Sequence, residues 1–152
     1  MQQIIKLYDR LVTLASGPMF ESIALLITRV ALAGVFWRSG RTKVEDGTAL
    51  EISDTTYFLF EYEYSGIPIP HEIAAPMATY AEHAFPILLV LGLATRFSAL
   101  SLLIMTMVIQ FFVYPDAWWA THILWAAMAA ILMSRGAGLF SIDAIIGKMV
   151  RK

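Results

Sequence analysis

Two charged side chains lie near the middle of long apolar runs, where charge is costly. Arg29 falls within residues 20–37 and Glu82 within residues 73–93. An unpaired ionisable group at the centre of a bilayer costs about 2.5–3.5 kcal/mol on insertion scales, so the two are expected to pair inside a helical bundle. Such a pair either fixes helix packing or belongs to a ligand or proton site, and the residues leave both interpretations open.

The second apolar run carries further polar groups beside Glu82. Helical spacing places Thr79, Glu82, His83 and Pro86 on one face of this run. Because Pro86 has no amide hydrogen, it is expected to kink the helix and to leave the carbonyl of Glu82 free inside the bundle. A carboxylate, an imidazole and a free carbonyl are therefore expected to converge there.

Two polar side chains in the last two apolar runs are candidates for the same site. Gln110 lies about one turn from the end of residues 97–114, and His122 lies about one turn into residues 118–133. Together with Arg38 they are expected to line an outward-facing pocket. The simpler interpretation of Gln110 is an interhelical hydrogen bond, and His122 could equally lie among lipid head groups.

The histidine and cysteine content bears on metal chemistry. The chain has no cysteine, which excludes a thiol–disulfide mechanism within it and thiolate-ligated zinc or iron–sulfur sites. Its three histidines, His71, His83 and His122, show none of the i, i+3 or i, i+4 pairing that would favour a metal or a haem. We therefore predict no metal site and disfavour haem.

The composition is that of an integral membrane protein. Hydrophobic residues make up 59% of the 152 residues, charged residues make up 15%, and the mean hydropathy is +0.67. Four apolar runs are long enough to cross a hydrocarbon core of about 30 Å as helices. They are residues 20–37, 73–93, 97–114 and 118–133. Residues 1–152 are thus predicted to be one all-α domain, a four-helix transmembrane bundle.

The net charge of −1 argues against nucleic acid as a partner.

Both ends of the chain have the pattern of helices that lie in the membrane interface. Apolar residues recur at helical spacing in residues 4–15 and 142–150, with charged residues elsewhere around each helix. Seven of the eleven Lys and Arg residues fall on the side of the membrane that these ends share. The positive-inside rule makes that side cytoplasmic, so both termini are predicted to be cytoplasmic.

The connection over residues 38–72 is predicted to lie on the opposite side and to form a lid over the bundle. It holds seven Asp and Glu residues. Asp54 could cap a short helix over residues 55–64, although the alternation of aromatic residues there is also strand-like. We favour a helix, followed by a turn at residues 66–70.

These motifs together resemble the DoxX family of small four-helix membrane proteins. The resemblance rests on Arg29, on GVFWRSGRTKV at residues 34–44, on Glu82, on GLATR at residues 92–96 and on RGAGLFSID at residues 135–143. It implies a bacterial inner-membrane protein with both termini in the cytoplasm. The positions that match the family motifs are Arg29, Gly40, Lys43, Glu82 and Arg96.

The resemblance also implies a link to membrane redox systems. Some family members resemble the small subunit of a thiosulfate:quinone oxidoreductase, and others are partners of oxidative-stress defence proteins. The segments YFLFEYEYSGIPIP and MTMVIQFFVYP resemble a subgroup often encoded beside enzymes that modify small metal-binding peptides.

Two functions of different class follow. In the first, the bundle is a subunit of a quinone-linked system, and the quinone head lies among Arg29, Glu82, His83, Gln110 and His122. The chain holds no redox centre of its own, so electrons would come from a membrane or periplasmic partner. In the second, it is a non-enzymatic module that docks, folds or exports a partner protein or peptide on its acidic, aromatic loop. Whether the chain turns over a substrate or forms a homo-oligomer stays open.

Overall fold

The computed structural model describes residues 1–150, and across them the chain is helical without a β-strand. A 3₁₀ turn at Pro115–Ala117 and a π-helical turn at Trp118–His122 lead into the last long helix. The helices are α1 (Gln2–Ala15), α2 (Pro18–Arg41), α3 (Asp54–Tyr62), α4 (His71–Leu91), α5 (Thr95–Phe112), α6 (Ile123–Arg135) and α7 (Ile142–Val150).

The predicted all-α architecture with four membrane-spanning helices is confirmed. In the described part of the chain, four helical segments are long and apolar enough to cross a membrane: Pro18–Arg41, His71–Leu91, Thr95–Phe112 and Pro115–Arg135. The first runs four residues beyond the predicted end, because the helical hydrogen bonding continues through Arg38 and Arg41 after the apolar run has stopped. This chain is therefore a multi-pass membrane protein.

The bundle has two distinct ends. The helices α1 and α7 lie at one end, here called the N/C end, where Arg135 bonds Glu21 and the amide of Leu139 donates to Ser22. The opposite end carries residues 42–70 and is called the loop end. Between them the spans bury an apolar core that includes Leu32, Phe36, Leu89, Leu102 and Leu132.

The α4–α5 turn at the N/C end depends on a distant segment. Gly92 ends α4 in the left-handed region at φ 67°, and Ala94 follows at φ 48°. The Asp143 carboxylate accepts hydrogen bonds from the amides of Ala94 at 2.8 Å and Thr95 at 2.9 Å. These amides begin α5, so Asp143 satisfies donors that have no partner inside the helix.

The helix favoured for the aromatic connection is confirmed, and its cap is corrected. Ser53, not Asp54, precedes α3, and its hydroxyl accepts from the amide of Thr56 at 3.3 Å. The aromatic residues follow the helical period: Phe60 is buried against α4, while Phe58 and Tyr62 stack on the exposed side. The strand-like alternation therefore arose from two faces of one helix.

Candidate functional site

Arg29 does not pair with Glu82, so that prediction is wrong. The guanidinium is fully buried near the N/C end. Its Nη1 donates to the carbonyls of Leu89 at 3.2 Å and Val90 at 3.4 Å, and its Nη2 donates to the carbonyl of Phe140 at 2.6 Å. The last carbonyls of a helix lack intrahelical partners and carry the negative end of its dipole, so they hold a cation well.

The direction of helical side chains explains the correction. Side chains lean towards the N-terminus of their own helix. Since α2 and α4 are antiparallel, Arg29 leans towards the N/C end and Glu82 leans towards the loop end. A Cβ at Gly92 would overlap the Arg29 guanidinium. Arg29 therefore connects α2, α4 and the segment before α7, and this contact is here called the Arg29 clasp. Glu82 has a different partner.

The partner of Glu82 is Lys43, which follows α2 at the loop end. Lys43 Nζ lies 2.6 Å from Glu82 Oε2, and both residues are buried. Ser39 joins them: its hydroxyl donates to Glu82 Oε1 at 3.1 Å and accepts from Lys43 Nζ at 2.9 Å. The three side chains form one compact ionic group, here called the Ser39–Lys43–Glu82 triad.

Gly40 lets α2 approach α4 closely enough for this triad to form. A Cβ at Gly40 would stand 2.9 Å from Cε1 of His83 and 3.1 Å from Cβ of Glu82. Any larger residue would therefore have to displace the His83 ring or push α2 away from α4. The backbone of Lys43 is fixed as well, because its amide donates to the carbonyl of Gly40 and its carbonyl accepts from Ser53.

His83 does not join the triad, although it is adjacent to Glu82 in the sequence. Its Nδ1 lies 2.7 Å from the carbonyl of Thr79 in the same helix, so Nδ1 is the donor. Its ring meets that of Trp37 edge to face at 5.1 Å. The α4 helix continues through Pro86 without interruption. The expected convergence of Glu82 and His83 on one site is thus not observed.

A cavity of about 380 Å³ lies beside the triad, between α4 and α5. Its walls are mostly apolar, while Ser39, Lys43 and Glu82 supply a polar patch. Met77 and Ile104 line it although more than half of each side chain is exposed, 57% and 54% respectively. Because they face the surroundings of the bundle, the cavity opens at the side of the bundle.

The connection at the loop end covers this cavity. Phe60 of α3 and Tyr64 just after it line the cavity. Tyr114, two residues after the end of α5, donates a hydrogen bond to Glu63. Gly66 approaches the carbonyl of Phe112 so closely that a Cβ there would stand 2.6 Å from it. These contacts fasten the connection across the loop end in the position predicted for a lid.

Gln110 and His122 form a separate cluster. His122 Nδ1 lies 2.7 Å from Gln110 Oε1, so Nδ1 is again the donor, and Gln110 Nε2 donates to the carbonyl of Pro115 at 2.6 Å. The two lie at the same depth, as predicted. Neither lines the cavity, and Arg38 is exposed outside it. Of the four residues expected to share one pocket, Glu82, His83, Gln110 and His122, this cavity includes Glu82 but not the other three.

Ser39 and Tyr64 line the cavity but were not among the predicted site residues. Ser39 precedes Lys43 by four residues, the spacing that places side chains on one helical face, and this was the available signal. Tyr64 lay in a run of aromatic residues with no feature to distinguish it. Within residues 1–150 no three His, Asp or Glu side chains come close enough to hold a metal ion.

The DoxX family model matches residues 24–115, well over half of the chain. The chain belongs to the DoxX family. A protein of Haemophilus influenzae, described only as uncharacterized, is 33% identical over 137 residues, which cover 85% of this chain and 87% of that protein. No solved structure shows a significant match.

The DoxX motif residues fall into two groups in space. Arg29, the 92–96 turn and the 135–143 segment meet at the N/C end, where Arg96 also donates to the carbonyl of Ser134 at 3.3 Å. Gly40, Lys43 and Glu82 meet near the loop end. The first group holds the bundle together, and the second forms the polar patch of the cavity.

Proposed function

We propose that this DoxX protein binds the head group of a lipid-soluble quinone in the cavity and acts as the membrane subunit of a redox-associated system. The observation that carries the proposal is an apolar, laterally open cavity of about 380 Å³ whose polar wall is the Ser39–Lys43–Glu82 triad. Ligand sites of this size are mostly apolar, with a few placed polar groups that orient the ligand.

The charge of the triad favours a neutral head group. The Lys43 ammonium and the Glu82 carboxylate neutralise each other at 2.6 Å, so the cavity offers no excess cation to a phosphate. One N–H of Lys43 reaches only a distant acceptor, the carbonyl of Ser39 at 3.4 Å, and can turn to a ligand carbonyl. The carboxylate has spare lone pairs that can accept from a ligand hydroxyl. Carbonyl and hydroxyl are the head-group functions of quinone and hydroquinone.

The chain's own residues would bind and orient the head group and exclude water from it. The lateral opening beside Met77 and Ile104 suits a ligand whose tail stays in the bilayer. The bound quinone would supply the electron-accepting chemistry. A protein partner in the membrane or the periplasm would supply the electrons.

Blocking the cavity tests the proposal. A short-chain ubiquinone analogue at 100 times its Kd should stabilise the wild type by about 2.7 kcal/mol and raise its melting temperature in detergent. Ala81→Phe places a ring in the cavity wall and should abolish that rise. Ala84→Phe, on the exposed side of the same helix, is the matched control and should retain it. A wild type that no quinone analogue stabilises would contradict the proposal.

The alternative function is docking of a partner on α3. Phe58 and Tyr62 stack at 4.5 Å on its exposed face, with Glu61 exposed beside them. Such a surface suits a partner with apolar and cationic groups. If a cationic peptide shifts the melting temperature and Phe58→Ala removes that shift, while quinones have no effect, the docking function replaces the quinone one.

We also propose that both termini face the cytoplasm of a bacterial inner membrane. The N/C end carries Lys6, Arg10, Arg96, Arg135 and Lys148, whereas acidic residues predominate at the loop end. Reporter fusions at the N- and C-termini should therefore both read cytoplasmic, and a fusion within residues 46–50 should read external. If both terminal fusions read external and the loop fusion reads cytoplasmic, the orientation is the reverse of the one proposed.

A further inference from the structure

Three polar side chains connect the cavity to the surface at the loop end. Tyr64 lines the cavity and meets Tyr114 edge to face, with ring centroids 6.0 Å apart. The two rings are therefore neighbours at the loop end. Tyr114 donates its O–H to Oε1 of Glu63, whose side chain is exposed. A carboxylate in contact with solvent is thus linked to the cavity through two phenols.

The direction of each hydrogen bond along this link follows from the single O–H that each phenol carries. Tyr114 has one O–H and gives it to Glu63, so any bond between the phenols must be donated by Tyr64. The oxygen of Tyr64 is then free to accept a proton. Burial raises the pKa of Tyr64, and the hydrogen bond to the Glu63 carboxylate raises the pKa of Tyr114. Both phenols therefore stay neutral at physiological pH.

We propose that Tyr64, Tyr114 and Glu63 form a proton route between the cavity and the aqueous phase at the loop end. This inference rests on the proposed quinone site. A proton that reaches the oxygen of Tyr64 displaces the hydrogen of Tyr64 to Tyr114, and the hydrogen of Tyr114 passes to the Glu63 carboxylate. Uptake reverses these steps. One proton enters and one leaves, and neither phenol keeps a charge.

Among the ionisable groups that line the cavity, Tyr64 is the one linked to a solvent-exposed carboxylate. Of the residues that line it, the ionisable ones are Lys43, Tyr64 and Glu82. Lys43 and Glu82 are buried and bonded to each other. Tyr64 alone of these three contacts the Tyr114–Glu63 pair, so it is the point at which protons can leave.

The first test uses the protein without quinone. Ultraviolet absorbance follows phenol ionisation as the pH is raised. In Glu63→Gln the pKa of Tyr114 should fall relative to the wild type, because the carboxylate charge that opposes ionisation is gone. Glu61→Gln, on the exposed face of α3, is the control and should titrate as the wild type does. An unchanged titration of Glu63→Gln would contradict the link.

The second test uses protein loaded with a short-chain ubiquinone analogue on an electrode, which supplies two electrons per quinone while the buffer supplies two protons. Tyr114→Phe and Glu63→Gln should slow this proton-coupled reduction on the order of 100-fold. Quinone should still raise the melting temperature of both variants, and Tyr62→Phe should react as fast as the wild type. Because a glutamine side chain at position 63 can still accept the hydrogen bond from Tyr114, a contact that only stabilises the structure would leave the reduction rate of Glu63→Gln unchanged.

The outcomes separate the two proposals. If both variants bind quinone and reduce it at the wild-type rate, the proton route is wrong and the quinone site stands. If the wild type binds no quinone analogue, the quinone site fails and the route fails with it.

Discussion

Glu82→Gln and Lys43→Met should each destabilise the protein by about 3–5 kcal/mol, and the double variant should be more stable than either single one. Each single change leaves one charged partner buried without its counter-ion, whereas the double change leaves none. Thermal unfolding in detergent gives the relative stabilities of the two single variants and the double variant. Additive losses in the double variant would mean that the two side chains do not stabilise each other.

The chain offers two matched controls for this result. Arg135 and Glu21 form an exposed ion pair at the N/C end, and Glu21→Gln should cost no more than about 1 kcal/mol. Arg29→Gln combined with Glu82→Gln should lose stability additively, because those two residues have separate partners. If the loss in this double variant departs strongly from the sum of the two single losses, Arg29 and Glu82 do interact, contrary to the structure.

Arg29→Met should destabilise the bundle by about 2–5 kcal/mol, since it removes the donors to three carbonyls in an apolar environment. Arg29→Lys should recover only part of the loss, because an ammonium cannot span the fork between α4 and the Phe140 carbonyl. Thermal unfolding in detergent again gives the measurement.

Arg38→Met is the control for that variant, because Arg38 lies on the same helix and is exposed. It should change the free energy of unfolding by less than about 0.5 kcal/mol. If Arg29→Met unfolds at the same temperature as Arg38→Met, the clasp at the N/C end does not contribute to stability.

The four spans could be predicted because the membrane imposes a length and a composition on each of them. Their ends were less predictable. The α2 helix continues to Arg41 because charged side chains can extend from the apolar region while the backbone stays helical. The end of α4 at Leu91 is marked by Gly92, whose positive φ stops the helix.

The candidate site was predicted only in part, for a physical reason. The sequence identifies a buried charge but not its partner, since the two Nη groups of Arg29 bond backbone carbonyls, which the types of the residues do not reveal. Lys43 was one of three cations that follow the predicted first span, residues 20–37, and the family resemblance alone singled it out. Gln110 and His122 were correctly placed at one depth, but the packing of α5 on the turn before α6 directs them towards each other.

The clasp at Arg29 also bears on how the protein is made. The first span enters the membrane early in synthesis, whereas the carbonyl of Phe140 that Arg29 bonds lies 111 residues later. Asp143, which completes the start of α5, is made later still. Until residues 140–143 are made, the nascent bundle therefore lacks the bond from Arg29 to Phe140 and the Asp143 cap of the third span. Synthesis must pass Asp143 before the earlier spans can form all of these bonds, so this part of the assembly follows the insertion of the first three spans.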